Sequence, residues 1–304
     1  MKYCRAAIVV MCFPILAFIT RAQTSSCSLE VLRNEMQAAA ATVGGHFGAA
    51  ASLLESGELV SVRGGDRFPM QSVYKLPIAM AVLQQVDAGK LHLNQKIHIN
   101  KEDFPPAPIG SPLRDKYPEG DIDLTLQDLL QASIVESDGG ASDVLLKLVS
   151  PAEINAFLGR IGVTDINVAT TEKAMAQDRI VQYQNWATPE GSIRLLKQLK
   201  ERRRLSLSSQ KLIFTWTTDS LPGQNRIKGL LPPGTLVAHK TGTSGTFQGM
   251  VAATNDIGII TMPDGKRLAV AVFVSNSTAD EQTRESAIAK TARAAWECWN
   301  PAAH

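Results

Sequence analysis

Strand-like patterning in this chain is confined to its two ends, and the long stretch between them reads as helix. Segments 47–54 and 59–63 flank Glu55-Ser56-Gly57-Glu58, the pattern of a β-hairpin. Strand character returns only at 235–242, 257–262 and 268–274, the last two joined by the turn Pro263-Asp264-Gly265. Amphipathic helices are expected at 29–42 and 280–299. In the middle, Leu76, Ala79, Met80, Leu83 and Val86 recur at helical spacing over 73–88, and Gly89 closes that helix. Thr125 with Asp128 makes a capping box for 126–135, Pro151 opens another helix, and Thr188-Pro189 has the chemistry of a third helix start. Strands so far apart share one sheet only if the chain ends come together. The expected fold is therefore α+β, an α/β sandwich: an antiparallel sheet flanked by N- and C-terminal helices, with an inserted all-helical lobe. Within a single domain over 23–304, residues 23–70 and 214–304 would form the α/β lobe and 71–213 the helical lobe. An active site is expected between them.

Lys2 and Arg5 precede an uncharged, mostly apolar run at 6–20, and Thr20-Arg21-Ala22 brackets a cut with small residues. That is the pattern of a signal peptide over 1–22 and implies export to the periplasm. The run is shorter than the roughly 20 apolar residues of a membrane span, so no stable membrane anchor is expected. A formal net charge of +2 gives no case for a nucleic-acid partner, and the basic run at 200–204 reads as a solvated helix end. Cys4 and Cys12 leave with the signal. Cys27 and Cys298 remain, either to bridge the two chain ends as a disulfide or to stay as two thiols. A monomer is expected.

Three short elements carry chemistry. Ser72-Val73-Tyr74-Lys75 sets a hydroxyl and an amine three residues apart at a helix start, a nucleophile beside a base. The spacing alone is weak: it arises about once by chance in a chain of this length, and Ser208-Ser209-Gln210-Lys211 is a second match. Context favours Ser72, which opens a strongly apolar helix, whereas the Ser208 hydroxyl reads as a helix cap. Ser137-Asp138-Gly139 lies between two expected helices, where a serine can pass a proton to a leaving nitrogen; as a dipeptide, Ser-Asp recurs at Ser142-Asp143. Lys240-Thr241-Gly242-Thr243 ends an expected strand, with a cation for an anionic substrate and a glycine that lets a ligand lie against the backbone.

In this order, the three elements resemble the signature of class A serine β-lactamases and penicillin-binding proteins. The resemblance extends to Thr170-Thr171-Glu172, Tyr183-Gln184-Asn185-Trp186, Arg226 and Ala253-Thr254-Asn255-Asp256. It is strongest to the PER and VEB type extended-spectrum subgroup, through Tyr183 to Trp186 and the run His239 to Ser244. The resemblance implies the β-lactamase/penicillin-binding transpeptidase-like fold, hydrolysis of penicillins and cephalosporins with resulting antibiotic resistance, and no cofactor. By position it makes Ser72 the nucleophile, Lys75 a base, Ser137 a proton shuttle and Glu172 the group that activates the deacylating water. Lys240, Thr241 and Arg226 would hold the substrate carboxylate, and the N–H groups of Ser72 and Thr243 the oxyanion.

This chain departs from the family at several positions. Gly139 stands where an asparagine usually contacts the substrate's acylamino group, and Ala176 where an asparagine often holds the water. Thr170 and Asn185 replace an ion pair that pins the intervening loop, which must then be held differently. A wider pocket, open to bulky oxyimino-cephalosporins, is the expectation. A D,D-peptidase shares the Ser-x-x-Lys chemistry but lacks an equivalent of Glu172, and a membrane-bound β-lactam sensor needs transmembrane helices. The histidines, His46, His92, His98, His239 and His304, have no paired ligand spacing, so no metal site is expected, and no Gly-rich phosphate loop is present.

Overall fold

The computed structural model describes residues 28–199 and 205–300. The expected signal peptide over 1–22, Cys27 and the basic run at 200–204 lie outside them. Helix α1 (Leu29–Ala40), capped by Ser28, leads into the hairpin β1 (His46–Leu53) and β2 (Leu59–Val62), then a short β3 (Phe68–Pro69). A 3-10 turn, Gln71–Tyr74, runs directly into α2 (Lys75–Asp87). The inserted stretch continues with β4 (Lys96–Asn100), α3 (Pro112–Lys116), β5 (Gly120–Thr125), α4 (Leu126–Gln131), α5 (Gly139–Leu148), α6 (Pro151–Arg160), β6 (Ile166–Asn167), α7 (Glu172–Gln177), β7 (Trp186–Ala187), α8 (Pro189–Gln198) and α9 (Leu207–Thr218). The chain returns through β8 (Val237–Thr243), the small hairpin β9 (Thr246–Phe247) and β10 (Met250–Val251), β11 (Thr254–Thr261), β12 (Arg267–Ser275) and α10 (Glu281–Trp299).

The two ends build one five-stranded antiparallel sheet in the order β2-β1-β12-β11-β8, as the sequence implies. Both its faces are covered, which is why β12 reads as an unbroken apolar run and not as an alternation. Leu268, Val270, Val272 and Val274 face one core with α1 and α10; Ala269, Ala271 and Phe273 face the other, with α2 and its neighbours. Gly48 on β1 is required by this second core, because a Cβ there would lie 2.4 Å from the Phe68 ring. The local signals at helix starts are realised: Thr125 and Asp128 form a reciprocal capping box, Ser150 and Glu153 another ahead of Pro151, and Thr188 caps α8.

Several expectations are corrected. Ser72 sits in a 3-10 turn and not in the first turn of the α-helix, and α4 gives way at Ala132–Glu136 to a π-helical turn that ends on a left-handed Ser137 (φ 60°). The inserted stretch is not all helix, since β4 and β5 pair as an antiparallel ribbon. Helix α8 packs on β1 and β12, against the sheet itself. Ser206, not Ser208, caps α9. Strand β11 begins three residues earlier than expected, at Thr254. No helix among the described residues is long and apolar enough to cross a membrane.

Phe273 is fully buried and stacks on Phe68 with ring centroids 5.6 Å apart. Phe273→Ala is expected to cost about 3–5 kcal/mol in denaturant unfolding, and the exposed cap change Thr125→Ala only about 1 kcal/mol. Equal costs would mean that the sheet's second core is not where stability resides.

Candidate active site

The three sequence elements meet in one cleft of about 720 Å³, lined among others by Ser72, Lys75, Ser137, Glu172, Thr241 and Thr243. A larger groove of about 950 Å³ between α1 and α10 has none of them. Ser72 is presented by the 3-10 turn, whose first residue, Gln71, has a positive φ of 46°. Such a conformation is costly for a residue with a side chain and needs support. The Gln71 amide donates to Gln182 Oε1 at 2.6 Å, and Gln182 is itself buried. On the other side, a Cβ on Gly242 would lie 2.2 Å from the Met70 carbonyl oxygen. Only glycine lets β8 lie this close to the turn that carries Ser72.

Lys75 opens α2 and is 1% exposed. Its ammonium donates to the Ser137 carbonyl oxygen (2.6 Å) and lies 3.1 Å from Glu172 Oε1, also buried. No hydrogen bond joins it to the Ser72 hydroxyl. The two share a turn and a cleft, but the cation is engaged with the carboxylate and the carbonyl. Lys240 completes the set from β8: its Nζ donates to Ser137 Oγ at 2.8 Å. Burial, then the nearby Lys75 cation, holds the Lys240 ammonium well below the usual lysine range. Ser137 thus lies between two lysines, its carbonyl on one and its hydroxyl on the other.

Glu172 is held by its backbone. Asp143, inside α5, accepts from the Glu172 N–H at 2.8 Å with Oδ1 and from the Lys173 N–H at 3.0 Å with Oδ2. Those donors are orphans of the first turn of α7. Burial pushes the Asp143 carboxyl up to about 6, against the lowering effect of the two N–H groups. The sequence reading passed over Asp143 as half of a common dipeptide. A signal was present, a carboxylate followed directly by Val144-Leu145-Leu146 on a buried helix, but its partners lie 29 and 30 residues away. Tyr74 was also missed. Its hydroxyl is buried without a hydrogen-bond partner of good geometry among the described residues. Burial, then the Glu172 and Asp143 charges, raises it well above the ordinary tyrosine value.

The loop between Thr170 and Asn185 is indeed held without an ion pair between those positions. Asn185 Oδ1 accepts from Ala169 N (2.7 Å) and Thr170 N (3.0 Å), while its amide donates to the Thr170 carbonyl (3.0 Å). Asp138 caps α5 and also takes N–H and hydroxyl bonds from Leu113 and Ser111.

Three binding residues stand differently from expectation. Gly139 is buried and does not line the cleft, because without a side chain it lets the Gly110 backbone approach, its N–H donating to the Gly110 carbonyl at 2.9 Å. The space left by the missing amide is filled by Ile109 and Gly110. Lys240 and Arg226 are buried behind the cleft wall. Arg226 pairs with Glu285 (3.0 Å) and reaches the cleft through Thr243, whose hydroxyl accepts from Nη2 at 2.8 Å. Thr241 and Thr243 are the groups of this set that a ligand meets.

Known proteins agree with this geometry. Residues 31–299 match the model of the β-lactamase enzyme family. The extended-spectrum β-lactamase PER-1 of Pseudomonas aeruginosa is 43% identical over 233 residues, 76% of this chain and 75% of that one. The β-lactamase VEB-1 of the same organism is 37% identical over 282 residues, 91% of each. A β-lactamase structure from Chitinophaga pinensis DSM 2588 superposes with a TM-score of 0.86 at 42% identity, covering 88% of this chain and 99% of that one. With the motifs in family order and gathered in one cleft, the chain belongs to the β-lactamase enzyme family and is a class A β-lactamase, a hydrolase.

Proposed function

We propose that this enzyme hydrolyses penicillins and cephalosporins, including oxyimino-cephalosporins, through an acyl-enzyme on Ser72, and so confers antibiotic resistance. The observation that carries the reading is the chain of contacts from Glu172 through Lys75 to Ser137 and Lys240, laid along the turn that holds Ser72. Ser72 Oγ attacks the lactam carbonyl carbon as its proton passes to the Lys75–Glu172 pair, whose 3.1 Å contact lets either member take it. The N–H groups of Ser72 and Thr243 stabilise the oxyanion; loss of one such donor commonly costs about 3 kcal/mol of barrier. When the ring C–N bond breaks, the proton taken from Ser72 passes from Lys75 through the Ser137 hydroxyl to the ring nitrogen, which leaves Glu172 a carboxylate. Glu172 then takes a proton from water, whose oxygen attacks the ester carbon; as the ester C–O bond breaks, that proton passes through Lys75 to Ser72 Oγ and restores the hydroxyl. Lys240 and Arg226 draw the substrate carboxylate toward Thr241 and Thr243 by charge, the hydroxyls making the contact.

The wider setting belongs to the same proposal. Residues 1–22 direct export to the periplasm, 23–304 form one monomeric domain, and Cys298 pairs with Cys27. The relatives named above support the extended-spectrum reading, and the small Ala176 beside Met175 leaves room on the loop side of the cleft ahead of Arg179.

Purified enzyme is expected to turn over nitrocefin, and Glu172→Ala to lose about 10²–10⁴ in kcat while an acyl adduct accumulates in its intact mass. A stable adduct already present in the wild type would point instead to a peptidase or a sensor. Cefotaxime and benzylpenicillin are expected to be hydrolysed at comparable rates; negligible cefotaxime turnover would remove the extended-spectrum reading.

Asp143 makes stability depend on pH. Folded, it binds a proton with a pKa of about 6, against the usual 3.8, so the native state holds more protons between those values. The burial cost present above pH 6 is relieved as the pH falls and is gone below about 4. Going from pH 7 to pH 5, the wild type should gain about 1 kcal/mol of unfolding free energy relative to Asp143→Asn. A pH-independent difference between the two would refute the assignment.

A further inference from the structure

Beyond the groups that hold the lactam ring, one cation faces the cleft. Arg179, in the 3-10 turn Arg179–Gln184 that follows α7, lines it from the loop side, and Phe247 on β9 lines it from the sheet side. The guanidinium carbon lies 3.4 Å from the centroid of the Phe247 ring, so the two side chains meet across the cleft. Stacking fixes the plane of the guanidinium but occupies only its face, leaving the N–H edge free for a planar anion. The other lining cation, Lys75, is engaged by Glu172 and Ser137. Arg179 forms no ion pair with any carboxylate among the described residues.

The position fixes what part of a substrate would reach it. The lactam carbonyl is placed at Ser72 and Thr243, and the ring carboxylate toward Lys240 and Arg226. In the opposite direction, the chain runs on from the end of β8 through Ser244 and Gly245 to Phe247 on β9. In penicillins and cephalosporins the acylamino group leaves the ring system on the side away from its carboxylate. It therefore points along this second arm, where Gly245 has open space beyond its Cα.

We propose that Arg179, held flat on Phe247, is a specificity-determining residue that binds a second carboxylate carried on the acylamino side chain of the β-lactam. The inference rests on the hydrolase reading above. Phe247 is 47% exposed, so the anion stays partly hydrated and the preference is modest, about fivefold, as for an exposed ion pair.

The test compares ceftazidime, whose oxime ether ends in a carboxylate, with its side-chain carboxamide, nearly the same in shape but neutral. In the wild type kcat/KM should favour the acid by about fivefold, and the ratio should fall toward one as salt approaches about 1 M, where charges are screened beyond about 3 Å. In Arg179→Gln the ratio should be near one at all salt concentrations, and in Phe247→Leu it should be intermediate. A ratio taken within one preparation cancels any general loss of folding or activity. Equal rates for the two compounds in the wild type, or an unchanged ratio in Arg179→Gln, would overturn the proposal. Were the wild type to leave both compounds and nitrocefin intact, the hydrolase reading itself would fall, and this one with it.

Discussion

The buried contact between Lys75 and Glu172 constrains more of this structure than any other. Taking an ammonium and a carboxylate out of water costs several kcal/mol per ion, and their mutual attraction offsets that only when the remaining donors and acceptors are satisfied. Here the satisfaction comes from distant parts of the chain. Lys75 arrives on α2 straight from the Ser72 turn, and the Ser137 carbonyl is aimed at it by the π-helical turn and the left-handed residue that ends it. Glu172 is fixed through its own N–H by Asp143 on α5. If one of these is misplaced, a charge is left buried without a partner, so the inserted helices and the loop must dock in a single arrangement. The Ser72 hydroxyl inherits its position from that docking.

Electrostatics explain why the arrangement suits an anion. Lys75, Lys240 and Arg226 are buried close together, and two of the three face carboxylates, Glu172 and Glu285. Among the described residues the Lys240 ammonium hydrogen-bonds to a serine hydroxyl and a carbonyl and to no carboxylate, and its depressed proton affinity reflects burial beside another cation, against the pull of the Asp256 and Glu172 charges. An anionic ligand at Thr241 and Thr243 relieves that strain. Keeping Lys240 and Arg226 behind threonines shields them from water, and in a water-poor site each charge acts over a longer range.

The parts legible in the sequence were those set by local rules. The helix starts at Thr125, Pro151 and Thr188, the hairpin after β1 and the strand character of β12 follow from neighbours a few residues away. The motifs were legible because their order is diagnostic. What stayed hidden depends on pairs far apart in sequence: Lys240 and Ser137 are 103 residues apart, Gln71 and Gln182 are 111. Strand β11 shows the same limit. Its first residues, Thr254-Asn255-Asp256, are polar and fall outside the strand expected at 257–262, yet they are buried strand. Asn255 donates to the Pro69 carbonyl (2.8 Å), and Asp256 accepts from His239 (2.9 Å). Those bonds, invisible locally, let polar residues occupy a core strand and tie the sheet to the segment just ahead of Ser72.

The departures from the family pattern acquire physical content in the same way. The absence of an amide at Gly139 does not simply enlarge the cleft, because the Gly110 carbonyl and the Ile109 side chain lie against it and contribute to the wall. The opposite side of the cleft runs between Ala176 and Phe247 of the β9–β10 hairpin. The loop there is fixed at its base by neutral amide bonds from Asn185 and by Asp143 accepting backbone N–H groups, neither of which is an ion pair. Salt screening thus has little hold on the loop's base, whereas protonation of Asp143 removes an acceptor from beside Glu172. The same loop reaches across the cleft at its far end through Arg179 on Phe247, so its base is held by buried hydrogen bonds and its far end by an exposed stacking contact.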